Sequence, residues 1–424
     1  RGARTCAWMA RGKSHFDLWR VFRNPEQHYR KKHIGLARDD SKGITTRMAA
    51  LNEEQQMIKD QASAWVREQA PVSSFRAMRD QGDELAYFPE TWKAMTEMGW
   101  TGLLVPEAYG GAGLGYQTFG LVLEQLGRNL VASPLFASAL VGATALIRSG
   151  SEEQKQEILP KIAEGSRLVV LASDEGNRHN PEDQQSMAQS IPGGYRLQGE
   201  KRMVMEGMAA TDFVVSARVA GESGVDAIGL FLVAADHSGV SRRATKTMDS
   251  RGYAAVTFDD VELTEAARLS RASGEVGALD GLLMAATASL TAEMLGTAAA
   301  AFDMTLDYLK TRKQFGQIIG GFQSLGHRAA GLYSEMELTR SCVEAALKAI
   351  DDDADNAAEL VALAKCKTNL FLHEMSNQLI QIHGGIGMTD EFDAGFYLKR
   401  ARVLEMAFGT ASYHRDRYAA LLEF

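Results

Sequence analysis

The feature that most constrains this chain is a double change of texture, from helical period to short alternating segments and back again. From Asn52 to Ala70 apolar and charged residues recur at helical spacing, and Pro71 ends the pattern. Pro89 opens a second short helix near its first turn. Helical patterns continue over Gln117–Leu130, Pro134–Ser149 and Glu152–Glu164, with Ser151 placed as an N-cap ahead of acidic residues. At Arg167 the texture changes. Runs such as Leu168–Ala172, Phe213–Arg218 and Ile228–Val233, separated by Gly, Asn and Asp, predict a compact antiparallel β domain over 166–272. From Gly281 the helical period returns, and Met284–Lys310, Phe322–Asp351 and Asp355–Ile382 each exceed twenty residues. Long helices with short connections predict an antiparallel bundle. The expected fold class is α+β, mainly α: a helical domain over 48–165, the β domain, and a C-terminal four-helix bundle over 273–424.

Charge narrows the function. The net charge is −8, which excludes a nucleic-acid footprint over the whole chain. Residues 1–47 carry a net +8, leaving −16 for the remainder. This basic leader lacks an apolar signal core. Three readings compete for it: a transit-like extension, a tail for nucleic acid or membrane, or translated sequence ahead of a start at Met48. We favour the last and expect the leader to lie outside the fold. The three cysteines, Cys6, Cys342 and Cys366, show neither metal-ligand nor CxxC spacing, so no metal site is expected and a reducing compartment fits. A cytoplasmic location follows, or the mitochondrial matrix if the leader is a transit peptide. The sequence predicts no membrane span.

The chemistry concentrates in one stretch, Gln381–Thr410. Leu372, Met375, Leu379 and Ile382 form one helical face that runs into Gly384, Gly385 and Gly387. Glycines at this density permit positive φ and bring backbone N–H groups close to a bound group. A helix C-cap followed by a loop accounts for the same residues. A second apolar segment then breaks at Phe408-Gly409-Thr410.

Four motifs, taken with the domain order, carry a resemblance: LVPEAYGGAGL (104–114), GEKRMVMEGMAATDFVVSAR (199–218), RKQFGQIIGGFQ (312–323) and QIHGGIG (381–387). Residues 48–424 resemble the acyl-CoA dehydrogenases. The resemblance implies FAD bound between the β domain and the bundle, with its adenosine half reaching a neighbouring subunit. It implies that Arg312 pairs with the pyrophosphate and that Phe315 packs near the adenine side. Gln381, Gly384 and Gly385 would add polar and backbone contacts, and Thr410 would belong to the cofactor site at the second break. Guanidinium and glycine turn suit a pyrophosphate, which needs fixed positive charge and close donors. The implied reaction is α,β-desaturation of an acyl-CoA thioester. Electrons would pass to an electron-transfer flavoprotein or similar acceptor, and the assembly would be a homo- or hetero-oligomer, a dimer or tetramer.

The chain departs from the family pattern at the flavin and at the base. Ser173-Asp174-Glu175-Gly176-Asn177-Arg178-His179-Asn180 replaces the family's Thr/Glu/Pro/Gly loop, leaving Ser173 as the flavin-side hydroxyl. Met203 stands where the family has Trp or Phe against the flavin, and Met205 where a Thr hydrogen-bonds N5. A thioether packs on a ring but donates no hydrogen bond. Phe408 occupies the position of the catalytic carboxylate and keeps only its backbone N–H, a donor for the thioester carbonyl. The other family position, ten residues before Gly296, is Ala286. Glu405, three residues before Phe408, is the expected substitute base, with Glu293 a second candidate. Three functions follow: a dehydrogenase of a divergent branch acting on bulky or dicarboxylic acyl chains, a base-less partner subunit of a heteromeric dehydrogenase, or a flavin-dependent monooxygenase on the same fold.

Overall fold

The computed structural model describes residues 51–224, 227–269 and 277–424; the basic leader lies outside them. Helix α1 (Glu53–Gln69) begins at a capping box in which Asn52 and Gln55 satisfy each other's backbone N–H groups. Pro71 does not leave a loop behind it. It stands at the N-cap of α2 (Val72–Gln81), whose Phe75 and Met78 are buried. Helices α3 (Pro89–Glu97) and α4 (Gly115–Arg128) follow. A π-helical segment over Leu135–Gly142 runs into α5 (Ala143–Ser149). Ser151 caps α6 (Glu152–Ala163) through a second capping box with Gln154.

The sheet comprises β1 (Val169–Ala172), β2 (Met187–Ile191), β3 (Gly194–Met205), β4 (Asp212–Val219), β5 (Ile228–Ala234), β6 (Val240–Ala244) and β7 (Tyr253–Thr264). Its order is β1-β4-β2-β3-β7-β6, with β5 also on β4. The expectation of a wholly antiparallel sheet needs correction. β4 pairs in parallel with both β1 and β2, because the chain returns to the sheet centre after the β2–β3 hairpin.

The C-terminal part holds three long helices, α7 (Ala278–Thr311), α8 (Gln323–Asp351) and α9 (Ala357–His383). The short α10 (Ala394–Met406) and α11 (Ala411–Leu421) complete it. Between α7 and α8 lies a tight hairpin of β8 (Lys313–Gln314) and β9 (Gln317–Ile318). Helix α7 is apolar enough to cross a membrane by composition, but 94% of its apolar window is buried in the fold. An apolar helix without a polar face is a core helix. Its neighbours include α4 of the N-terminal part. The two approach backbone to backbone: a Cβ on Gly127 would meet the Glu293 carbonyl at 2.2 Å, and one on Gly296 the Glu124 carbonyl at 1.9 Å. The apolar surface of α7 is therefore covered within one chain and is not left over for a partner.

Candidate active site

A cleft of about 510 Å³ opens between the sheet and the end of α10. One wall is the loop after β1 together with the last residues of β3. That loop is pinned from below by Lys201, a wholly buried lysine on β3. Its ammonium reaches Glu175 at 2.6 Å and the Ser173 carbonyl at 3.2 Å, and it also bonds Gln184. Burial pulls the Lys201 pKa down to about 8, against the opposing effect of Glu175. The Glu175 carboxylate also accepts from the Gln185 and Ser186 N–H groups. Past Lys201 the β3–β7 register shifts, and Met203 takes φ 52°. This kink leaves the Met203 side chain 42% exposed at the cleft, with Met205 half-buried beside it.

The opposite wall is Val403, Met406, Ala407 and Phe408. Phe408 is buried at φ 52°, an unusual conformation for an aromatic residue. Two contacts hold this turn. His414 donates from Nε2 to the Phe408 carbonyl at 2.8 Å, and Asn369 donates to the Gly409 carbonyl at 3.2 Å. Burial pushes the His414 pKa down to about 3, so the ring stays neutral and Nε2–H remains a donor. The Phe408 N–H has no acceptor among the described residues. Its ring lies 6.1 Å from that of Phe136 and 6.2 Å from that of His179, which meets it edge-on. His179 is tied through Nδ1 to Asp174 at 2.9 Å.

Behind Met205 and Tyr253 lies a buried ion network. Arg400 bonds Asp249 at 2.7 Å and Glu293 at 2.5 Å. Arg251 stands 3.7 Å from Glu293 and 3.9 Å from Glu206. The Glu206 Oε2 has no hydrogen-bond partner among the described residues, and burial raises the Glu206 pKa to about 8 despite the two arginines.

Of the residues expected from the sequence, Ser173, Met203, Met205 and Phe408 line the cleft together. Thr410 does not line it; it caps α11, its hydroxyl accepting from the Tyr413 N–H at 3.3 Å. Glu405 as the base requires correction. Its carboxylate binds Arg402 at 2.5 Å and His373 at 3.1 Å, and it is absent from the cleft wall because its helix turns Met406 and Val403 there instead. Glu293 is likewise committed, to Arg400.

Arg312, Phe315, Gln381, Gly384 and Gly385 gather at a second place. Leu309, Ile319, Ala329 and Ile382 form a small core under the β8–β9 hairpin and the end of α9. Tyr308 stacks on His383 at 4.2 Å, which joins the glycine turn to the end of α7. Above this core Arg312 and Gln381 are exposed, and the Arg312 guanidinium has no ion pair among the described residues. Phe315, at φ 52° on the hairpin tip, is 90% exposed. Gly384 takes φ 62°, and a Cβ on Gly384 or Gly385 would meet nothing within 4 Å. Asp390, just beyond, is anchored by Arg79 at 2.5 Å. Sequence reasoning missed the His179–Asp174 pair and the ion network. The first was legible only as two polar residues five apart in a loop, and the second joins residues up to 194 positions apart, Glu206 to Arg400.

A sheet that lies in sequence between two helical parts, with a cleft where it meets the end of α10, defines the fold class of the acyl-CoA dehydrogenases. The chain belongs to the acyl-CoA dehydrogenase family. Residues 52–166 match the acyl-CoA dehydrogenase N-terminal domain and residues 278–422 the C-terminal domain. It is 31% identical over 380 residues to the probable acyl-CoA dehydrogenase YngJ of Bacillus subtilis (strain 168), covering 86% of this chain and 97% of that protein. Among solved structures it is similar to a variant of the Tcur3481-Tcur3483 steroid ACAD, at 30% identity and TM-score 0.80, covering 88% of this chain and 98% of that one. It is also similar to a chain of the ChsE4-ChsE5 complex from Mycobacterium tuberculosis, at 27% identity and TM-score 0.81, with the same coverage. The chain is accordingly an oxidoreductase of the class that acts on acyl-CoA thioesters.

Proposed function

We propose that the chain binds FAD in the 510 Å³ cleft and there desaturates a bulky acyl-CoA between its α and β carbons. The observation that carries this is that Phe408, whose backbone N–H is unpartnered among the described residues, lines the same cleft as Ser173, Met203 and Met205. The residues present fit the cofactor. The volume lies within the usual range for cofactor sites, the exposed Met203 thioether offers an apolar face for a flat ring, and Ser173 supplies a hydroxyl. Bound FAD would supply a two-electron, hydride-accepting ring. The chain's own part is to polarise the thioester carbonyl through the Phe408 N–H, exclude water with Phe136, Val141 and Phe408, and orient the acyl group. Arg178 and Arg243 at the rim, without ion pairs among the described residues, suit the anionic CoA moiety.

Arg312 and the Gln381–Gly387 turn, open to solvent, support a site completed between subunits, with Arg312 on the pyrophosphate and Phe315 toward the adenine. Exposed Leu338 on α8, with Leu363 and Leu370 seven residues apart on α9, supports a dimer or tetramer. The proposed electron acceptor is an electron-transfer flavoprotein or a protein like it. A second reading rests on Phe408: the chain is the base-less member of a heteromer, as the naming of two different components in both solved relatives suggests. The test is anaerobic mixing of the purified, FAD-loaded chain with butyryl-, octanoyl- and ring-bearing acyl-CoAs while flavin absorbance is followed. Bleaching by the ring-bearing thioester alone supports the first reading. Bleaching only after a partner subunit is added supports the second, and no FAD retained by either form refutes both.

A further inference from the structure

Phe408 removes the carboxylate from the place where the family's proton acceptor stands, yet the cleft contains another base. His179 lines the main cleft and also a void of about 20 Å³ that continues behind Phe408, so it stands at the junction around that ring. Its own ring meets Phe408 at 6.2 Å and Tyr413 at 5.2 Å, both edge-on, and the two contacts set its plane. Asp174 accepts a hydrogen bond from Nδ1 at 2.9 Å. A carboxylate on Nδ1 fixes the proton there and leaves the lone pair on Nε2, the arrangement by which acids orient histidine bases. Nε2 makes no hydrogen bond among the described residues. Asp174 is itself held, its carbonyl accepting from the Arg202 N–H at 2.7 Å, while the adjacent Glu175 is locked on buried Lys201. Among the described residues the only other acid on the cleft wall is Glu200, which faces Arg202 at 3.1 Å.

We propose that His179, oriented by Asp174, is the general base that removes the α-proton of the acyl thioester, replacing the carboxylate absent at position 408. Asp174 is a positioning residue. The proposal rests on the reading that an acyl-CoA binds in this cleft beside FAD. In the step, the α C–H bond breaks, the proton moves to Nε2, and the bonding pair stays on the thioester as its enolate, whose oxygen faces the Phe408 N–H. The resulting imidazolium is paired with Asp174. Bound FAD would supply the two-electron acceptor for the β-hydride, and the bonding pair would then close the α,β double bond.

The proton step can be observed without turnover. The FAD-loaded chain is mixed in D₂O with a ring-bearing 3-thiaacyl-CoA, in which sulfur replaces the β-carbon and no hydride can leave. Deuteration of the α-CH₂ is followed by proton NMR, and binding by the perturbation of flavin absorbance. The parent protein is expected to exchange the α-protons. His179→Gln, which can still bond Asp174 but accepts no proton, and His179→Ala should both slow exchange by about 10²–10⁴-fold, the usual worth of a general base, with binding and flavin content unchanged. Added imidazole should restore exchange in His179→Ala. Exchange at the parent rate in both variants overturns the proposal, as does bound thioester without exchange in the parent. A loss that imidazole does not restore assigns His179 a structural role and overturns it too. Absence of any flavin perturbation refutes the underlying reading, and the proposal with it.

Discussion

Arg400 and Arg312 belong to the same helical bundle and are used in opposite ways. Arg400, on α10, is buried behind the cleft and bonded to Asp249 and Glu293. Arg312, at the C-cap of α7, is exposed, held by its backbone, and has no ion pair among the described residues. The glycines divide in the same manner. Gly296 leaves no room for a Cβ against the Glu124 carbonyl, whereas Gly384 and Gly385 face open space. Behind the cleft, charge and glycine are consumed by the fold itself. At the outer corner they stay exposed and uncommitted among the described residues. On the proposed reading, the wall that meets the thioester is held by the fold of one chain, and the outer corner is where the cofactor's pyrophosphate and a neighbouring subunit would meet.

The largest test of this contrast is Arg400→Met. It strands Asp249 without a cation and leaves Glu293 only Arg251 at 3.7 Å, and breaking a buried pair costs about 3–5 kcal/mol. A marked fall in urea midpoint is expected; a midpoint equal to the parent's would dissolve the distinction between the two regions. Glu206 supplies the next test, through pH. Its folded pKa of about 8 lies above the ordinary 4.5. The folded state therefore keeps a proton that the unfolded chain releases, and stability falls as pH rises from 4.5 toward 8. The effect is on the order of 3 kcal/mol, below the full value of the shift because interior charges relax. Urea melts of parent and Glu206→Gln between pH 5 and pH 7 should diverge, with the glutamine variant gaining; parallel curves would show that the carboxyl is charged. This range avoids Lys365, whose pKa is lowered by burial to about 7 and which adds stability only above that pH.

The outer corner should respond to mutation without losing stability. Arg312→Ala is expected to weaken FAD binding by roughly 10- to 150-fold, from about 1.5–3 kcal/mol of charge-assisted contact, while the apo-protein melts as before. Unchanged FAD affinity, measured by ultrafiltration, removes Arg312 from the site. Phe315→Ser carries the smallest effect, about 1.5 kcal/mol of assembly free energy if the ring is buried by a neighbour. Light scattering at micromolar concentration should then show a lower mean mass. An unaltered mass would remove Phe315 from the contact between subunits.

Much of this was legible in the chain because the signals are local. Capping residues at Ser151, the period of α9 and the glycines after it each act within a few positions, so element order and the glycine turn could be read directly. That a phenylalanine stands at 408, where the family resemblance implies a carboxylate, was equally plain. What the sequence could not decide were distances between remote residues. Glu405 sits three positions from Phe408, but its partners Arg402 and His373 take it away from the cleft. Helix α7 is apolar over most of its length, and what covers it, α4 closing at Gly127 and Gly296, is not written in its own residues. Pairing His179 with Asp174 beside Phe408 required a loop pinned by Lys201 to meet a turn more than two hundred residues further on. Propensity, periodicity and caps are short-range quantities, so sequence alone specified the elements. The side chain that meets the substrate is set by packing and by ion pairs between distant segments, and only the tertiary structure decided it.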